Sequence, residues 1–281
     1  MTVTPDTARF SRRPEARHAL PDDIPSTASQ AVRERFEQFG ANYRWMLLFM
    51  MLTGSMSTML AATTINVALP AIIGAFGLGQ DQAQWMSTAF LASSTIAMLA
   101  NAWAITSYGP RATYVFGMVT FIAGSLLGSV SGTLTLLILA RAMQGIAAGL
   151  LQPMSMFLIF QTFPDHQRGT AIGIFSVGVV LAPAFGPALG GIAVDVASWR
   201  LVFVATVPLA LVAIATAPLL MPTGERDRMR VPLDWPGLLL LTVALVSLLS
   251  GFANGNRDGW DSNVTYLKFA IGIVAAVTFI L

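Results

Sequence analysis

Eight long apolar segments, separated by short polar turns, occupy this chain from Trp45 to its last residue. They run over Trp45–Leu69, Trp85–Ile105, Ala112–Val130, Leu134–Phe160, Gly169–Val194, Leu201–Met221, Trp235–Ala253 and Tyr266–Leu281. A helix needs about 20 apolar residues to cross a bilayer, and most of these segments reach that length. Only 11% of the residues are charged, against about 25% in a soluble domain. The expected fold class is therefore an all-α polytopic membrane protein. Short loops between the first six segments predict antiparallel neighbours and one six-helix bundle.

The chain before Trp45 is polar and carries Pro5, Pro14, Pro21, Pro25 and many arginines. It has no apolar core of the kind a signal peptide requires, and its first part reads as disordered. Ser26 to Gly40 reads as a short amphipathic helix. Thr27 and Gln30 have capping-box spacing, Val32, Phe36 and Phe39 share a face, and Gly40 ends it. That helix is expected to lie on the membrane surface or to remain part of a partly ordered tail.

The expected organisation is a cytoplasmic polar tail (1–42), a six-helix bundle (43–221), a charged linker (222–234) and two further membrane helices (235–281). Lysines and arginines set the orientation. A cytoplasmic N-terminus places Arg9, Arg12, Arg13, Arg17, Arg33, Arg35, Arg44, Arg111, Arg168, Arg226, Arg228 and Arg230 inside. Only Arg200, Arg257 and Lys268 then lie outside.

The sixteenth of these cations is Arg141, the only charged side chain well inside an apolar segment. A guanidinium at membrane depth costs at least a few kcal/mol, so such residues mark a polar pathway or a paired site. Gln144 lies one turn away on nearly the same face. Asn66 and Gln152 are neutral polar groups at similar depth, each a cavity ligand or interhelical glue. The fourteen acids all fall in the tail, in loops or at segment ends. The chain therefore offers no mid-membrane carboxylate to carry a proton. It has no Cys, and its two histidines, His18 and His166, lie outside the spans. No metal cluster, phosphate loop or nucleophile–base pair can be assembled from these residues, which disfavours an enzyme. No cofactor and no nucleic-acid partner are called for.

Glycine pairs four residues apart recur: Gly124/Gly128, Gly145/Gly149, Gly169/Gly173 and Gly186/Gly190. Such spacing lets helix backbones approach closely in lipid. The fifth span concentrates this chemistry, with Gly178, Pro183, Gly186, Pro187, Gly190 and Gly191 in one helix. It reads either as a kinked packing helix or as a bendable one that lets two bundles rock.

The Gly186-Pro187-Ala188-Leu189-Gly190-Gly191 run resembles the fifth-helix antiporter motif of the major facilitator superfamily. Arg141 with Gln144, Gly145 and Gly149 resembles that superfamily's fourth-helix motif. Thr63-Thr64-Ile65-Asn66-Val67-Ala68-Leu69-Pro70 resembles the end of helix one in the fourteen-spanner drug:proton antiporters. Phe163-Pro164, Arg168-Gly169, Trp199-Arg200 and Asp234-Trp235-Pro236-Gly237 follow the same pattern. Two departures stand out. Ala61 occupies a position that is usually acidic. The loop after the second span keeps only Gly109 and a nearby Arg111 of the cytoplasmic loop motif, with Thr106 and Ser107 where an acid and a base are expected.

The resemblance implies a secondary active transporter in the cell (inner) membrane that exports small amphipathic or toxic molecules by alternating access. Its partners would be a small-molecule substrate and the lipid bilayer. The chain then reads as the N-terminal portion of such a transporter, missing its C-terminal half. A half-transporter working as a homodimer, a non-transporting binding or accessory protein, and an inactive remnant stay open.

The charge bias predicts one topology. The chain has no native Cys, so a Ser262→Cys variant can be probed with impermeant thiol reagents. Labelling is expected from outside the cell, and labelling confined to the cytoplasmic side would contradict it.

Overall fold

The computed structural model describes residue 21 and residues 23–223 and 232–280, apart from the side chains of 253, 254 and 256–258. Residues 1–20 and most of the charged linker, residues 224–231, lie outside the described residues. Among the described residues, ten α-helices follow one another. They are α1 (Gln30–Phe39), α2 (Tyr43–Phe76), α3 (Gln80–Tyr108), α4 (Pro110–Val130), α5 (Leu134–Thr162), α6 (Asp165–Val196), α7 (Leu201–Val204), α8 (Val207–Leu220), α9 (Trp235–Asp258) and α10 (Asn263–Ile280). Eight stretches of them are long and apolar enough to cross a membrane.

The helices outrun the apolar segments that predict them. At 1.5 Å per residue, the 34 residues of α2 span about 50 Å. Pro70, at the end of the predicted segment, is absorbed into α2, which runs on to Gly77 in the left-handed conformation. Likewise α6 stays helical through both Pro183 and Pro187. The sixth span is divided, because the chain turns at Ala205–Thr206 before Pro208 opens α8. Between α3 and α4, Gly109 adopts a φ of 85°, a value an L side chain resists, and joins the two helices without a loop.

Two helices organise the rest. α2 packs on α5, α6 and α8, while α5 also packs on α3 and α4. α9 and α10 form a hairpin that reaches the bundle through α3. Glycines set the close approaches. A Cβ on Gly145 would meet the Phe90 carbonyl and the Ser93 hydroxyl of α3, and one on Gly149 would meet the Ser94 carbonyl. Gly124 does the same for α4 and α5, where a Cβ would lie 2.9 Å from the Ala140 carbonyl oxygen. Gly169 and Gly173 face open space, so their spacing serves no packing in this structure. Asn101 bridges the same α3–α5 seam, its amide donating to the Leu150 carbonyl.

The amphipathic helix α1 begins one turn later than its sequence spacing predicts. Ser29 caps it, and its hydroxyl accepts from the Val32 N–H. Val32 and Phe36 are fully buried in the main hydrophobic core, where the Phe36 ring meets Tyr43 edge-on at 5.0 Å between centres. The apolar face thus rests on the bundle rather than on a membrane surface. Thr27 donates to the Phe160 carbonyl, and the Tyr43 hydroxyl donates to the Leu220 carbonyl at 2.8 Å. Arg44 is buried and makes a two-pronged ion pair with Asp23, at 2.7 and 2.9 Å, and also donates to Gln167. The hydrogen bonds and charge of Arg44 hold the Asp23 carboxyl below its ordinary value of 3.8. A lowered carboxyl stabilises the fold at pH above 3.8, and that contribution fades as pH falls through the lowered value.

The α3–α5 contact yields a direct test. Gly149→Val drives a side chain into the Ser94 carbonyl and is expected to cost about 1–3 kcal/mol or more. Gly173→Ala meets nothing within 4 Å and is expected to be neutral or slightly stabilising, since it removes a helix-interior glycine. Thermal unfolding of both variants in detergent reads the difference.

Candidate functional site

Arg141 lies seven residues into α5, about 10 Å from that helix's first residue. It is 1% exposed and is the largest fully buried side chain among the described residues. Four helices close around it. One guanidinium nitrogen donates to the Ala61 carbonyl of α2 at 3.0 Å and to Gln144 Oε1 of α5 at 2.8 Å. The Gln144 amide donates onward to the Ser125 hydroxyl of α4 at 2.9 Å. The Phe90 ring of α3 lies under the guanidinium, 4.4 Å from ring centre to the central carbon. Arg141 Nε is buried with no hydrogen-bond partner.

The partners are two neutral oxygens and a ring face. None is a carboxylate. Two ion pairs, Arg44–Asp23 and Arg168–Asp165, lie outside this cluster. Cation–π contact with Phe90 and the two hydrogen bonds offset part of the desolvation cost. The unpaired Nε and the missing counter-charge leave the rest uncompensated. No cluster of His, Asp or Glu suited to a metal occurs among the described residues.

The other expected site residues fall in different places. Gln144 joins Arg141. Asn66 does not: it is exposed on α2. Gln152 is half-buried on α5, two turns beyond Gln144. In the fifth-span motif, Gly178, Gly186 and Gly190 press α6 against α2, at Leu52, Thr63 and Thr64 respectively. Gly191 meets nothing, Pro183 is half-buried and Pro187 is exposed. Gly109 makes the α3–α4 turn, and Arg111 follows it in the first turn of α4. A cavity of about 420 Å³ opens between α3 and α9, lined by Leu99, Trp103, Thr106, Asp234, Leu238 and Phe279. Its lining is mostly apolar and shares no residue with the Arg141 cluster, so we do not assign the site to it.

Sequence reasoning missed Ser125, Phe90 and Asn101. Ser125 follows the packing residue Gly124, and Asn101 is an amide within an apolar span. Both carry the signal that singled out Asn66, a polar group at membrane depth. Phe90 carries none, because one aromatic among many apolar residues is not distinctive.

Comparison with known proteins places the chain. Residues 51–281 match the Major Facilitator Superfamily. The chain belongs to that superfamily. It is 32% identical over 226 residues to the multidrug transporter protein MdtP of Bacillus subtilis, covering 79% of this chain and 41% of MdtP. It is 28% identical over 239 residues to the multidrug export protein EmrB of Haemophilus influenzae, covering 84% of this chain and 47% of EmrB. The chain thus spans about half the length of these relatives. A crystal structure of a mutant of the peptide transporter POT in complex with sulfate superposes with a TM-score of 0.60 at 19% identity, over 86% of this chain and 52% of that chain, which supports the fold. The family is one of multi-pass membrane transporters rather than enzymes, and multidrug exporters are among its members most like this chain.

The cluster predicts an unusual stability profile. Arg141→Met keeps the volume and removes the buried charge, and is expected to leave stability within about 1 kcal/mol of wild type or to raise it. Arg141→Ala opens a cavity and is expected to cost about 2–5 kcal/mol. Thermal unfolding distinguishes the two. A strongly destabilised Arg141→Met would mark the arginine as structural glue.

Proposed function

We propose that this chain supplies one six-helix bundle, residues 43–221, of a secondary active transporter that exports small amphipathic or toxic molecules. The observation that carries this reading is the Arg141 cluster: a buried charge held at membrane depth by four helices of a transporter fold. Residues 222–234 act as a cytoplasmic connection, and residues 235–281 add two helices on the α3 flank. The N-terminus lies on the cytoplasmic side of the inner membrane, in keeping with the arginine bias. Alternating access in such folds moves two bundles about a substrate near the bilayer middle. Six helices provide one wall of that site.

The second wall comes from a further bundle or from a second copy of this chain. α6 is the element suited to meet it. Its glycines seat it on α2, while Val177, Val180, Phe185 and Ile192 stay exposed on its other side. Asn66, Gln152 and Pro187 are assigned to the substrate pathway or its moving wall, and Gly109 with Arg111 to the cytoplasmic hinge of α3 and α4.

Proton coupling is not expected of this chain by itself. It has no mid-membrane carboxylate or His, and Ala61 supplies only a main-chain oxygen to Arg141. Expressed alone in an efflux-deficient host, it is expected not to raise tolerance to lipophilic dyes. In proteoliposomes, an imposed pH gradient is expected to drive no dye movement. Gradient-driven transport lost in Arg141→Met would establish the homodimer instead.

A further inference from the structure

We infer that the seam between α3 and the α9–α10 hairpin holds one phospholipid, with an acyl chain in the groove and an ethanolamine headgroup against Asp234. The inference goes beyond the transporter reading and needs only that these helices cross a bilayer. The hairpin reaches the bundle through α3, and the two surfaces do not close completely. Between them lies the cavity of about 420 Å³, within the range of about 300–1,000 Å³ in which proteins hold small ligands. Leu99, Ala102 and Phe279 line it and are also exposed. The groove therefore opens sideways, toward whatever surrounds the helices.

The groove has a dry length and one polar end. Its lining runs from Leu99 to Thr106 along α3 and from Asp234 to Leu241 along α9, and each stretch is about 10 Å long. Thr106 lies in the last turn of α3, and Asp234 caps the first turn of α9. Both polar side chains thus sit at helix ends, and the rest of the lining is mostly aliphatic. Near the same end Trp103 packs edge-on against Tyr108, at 5.4 Å between ring centres. Such amphipathic rings belong at a membrane–water interface. In hydrocarbon an apolar groove does not fill with water, which would lack hydrogen-bond partners there. Left empty, its lining would forfeit dispersion contacts. An acyl chain supplies those contacts, and every bilayer lipid carries one.

Asp234 selects the headgroup. Its Oδ1 accepts from the Gly237 N–H at 2.9 Å and so caps α9. The residue is exposed, and no basic side chain among the described residues pairs with it. No basic side chain lines the groove either. An anionic headgroup would therefore meet a carboxylate and no cation. An ethanolamine ammonium donates charge-assisted hydrogen bonds to a carboxylate. A choline group carries the same charge and has no N–H to donate. The groove thus ranks phosphatidylethanolamine above phosphatidylcholine, and both above phosphatidylglycerol.

Native mass spectrometry provides the test, with the full chain released from nanodiscs that hold these three lipids in equal parts and with identical acyl chains. The wild type is expected to retain one phosphatidylethanolamine, favoured over phosphatidylcholine by about two- to fivefold, the worth of an ion pair open to solvent. Asp234→Asn keeps the helix cap and is expected to retain a lipid without that preference. Ala102→Trp puts an indole into the groove from an exposed position and is expected to lose the retained lipid. Leu126→Trp, on the exposed face of α4, is expected to keep it. No retained lipid, a preference absent from the wild type or unchanged in Asp234→Asn, or a lipid that Ala102→Trp still holds overturns the inference. A lipid-free dimer that Ala102→Trp splits puts a second copy of the chain in the groove and overturns it as well.

Discussion

A buried guanidinium without a counter-ion is the constraint on which the rest of this bundle depends. Taking such a charge out of water costs several kcal/mol, and neutral hydrogen bonds return only part of that. The Ala61 carbonyl, Gln144, Ser125 and the Phe90 ring must therefore hold fixed positions around Arg141. That demand links four helices at one level. It also explains why the helices approach so closely there: Gly145 lies one turn beyond Arg141 and brings α3 near enough for Phe90 to reach the guanidinium.

The same economy of side-chain volume recurs around α2. Gly178, Gly186 and Gly190 seat α6 on it along several turns, and on α2 itself Gly54 admits the Tyr114 ring of α4. At the other end of the bundle the logic changes from close packing to charge pairing. There Asp23 satisfies Arg44, and the N-terminal segment ties the ends of α2, α5 and α8 together. One buried arginine is thus paired and the other is not. The difference separates an ion pair at one end of the bundle from a buried charge held only by neutral groups.

Much of this was legible in the chain. Apolar length announces membrane helices because a bilayer leaves the backbone no alternative. Arg141 and Gln144 could be placed together because residues three apart share a helix face. Other features were not legible. Helix ends depend on packing beyond the hydrocarbon layer, so Pro70 and the two prolines of α6 did not mark boundaries. The third partner of Arg141 is a main-chain carbonyl, and every residue has one, so nothing in the letter Ala61 reveals it. Asn66 shares its chemistry with Gln144 yet faces outward, since an amide's depth does not specify its direction around the helix. The pairing of Gly145 and Gly149 with α3, against the idle Gly169 and Gly173, likewise depends on which neighbour happens to lie opposite.

The central claim is that Arg141 stays charged in the interior with no anion beside it. Nitrogen-15 NMR of the guanidinium groups in the arginine-labelled chain tests this most directly, with the Arg141 signal assigned by its loss in Arg141→Met. The account predicts a protonated guanidinium from mildly acidic to mildly alkaline pH. Its Nε–H should exchange slowly with water and lack the shift of a carboxylate pair. A neutral guanidine, a rapidly exchanging Nε–H, or the signature of an ion pair in the absence of ligand would contradict it.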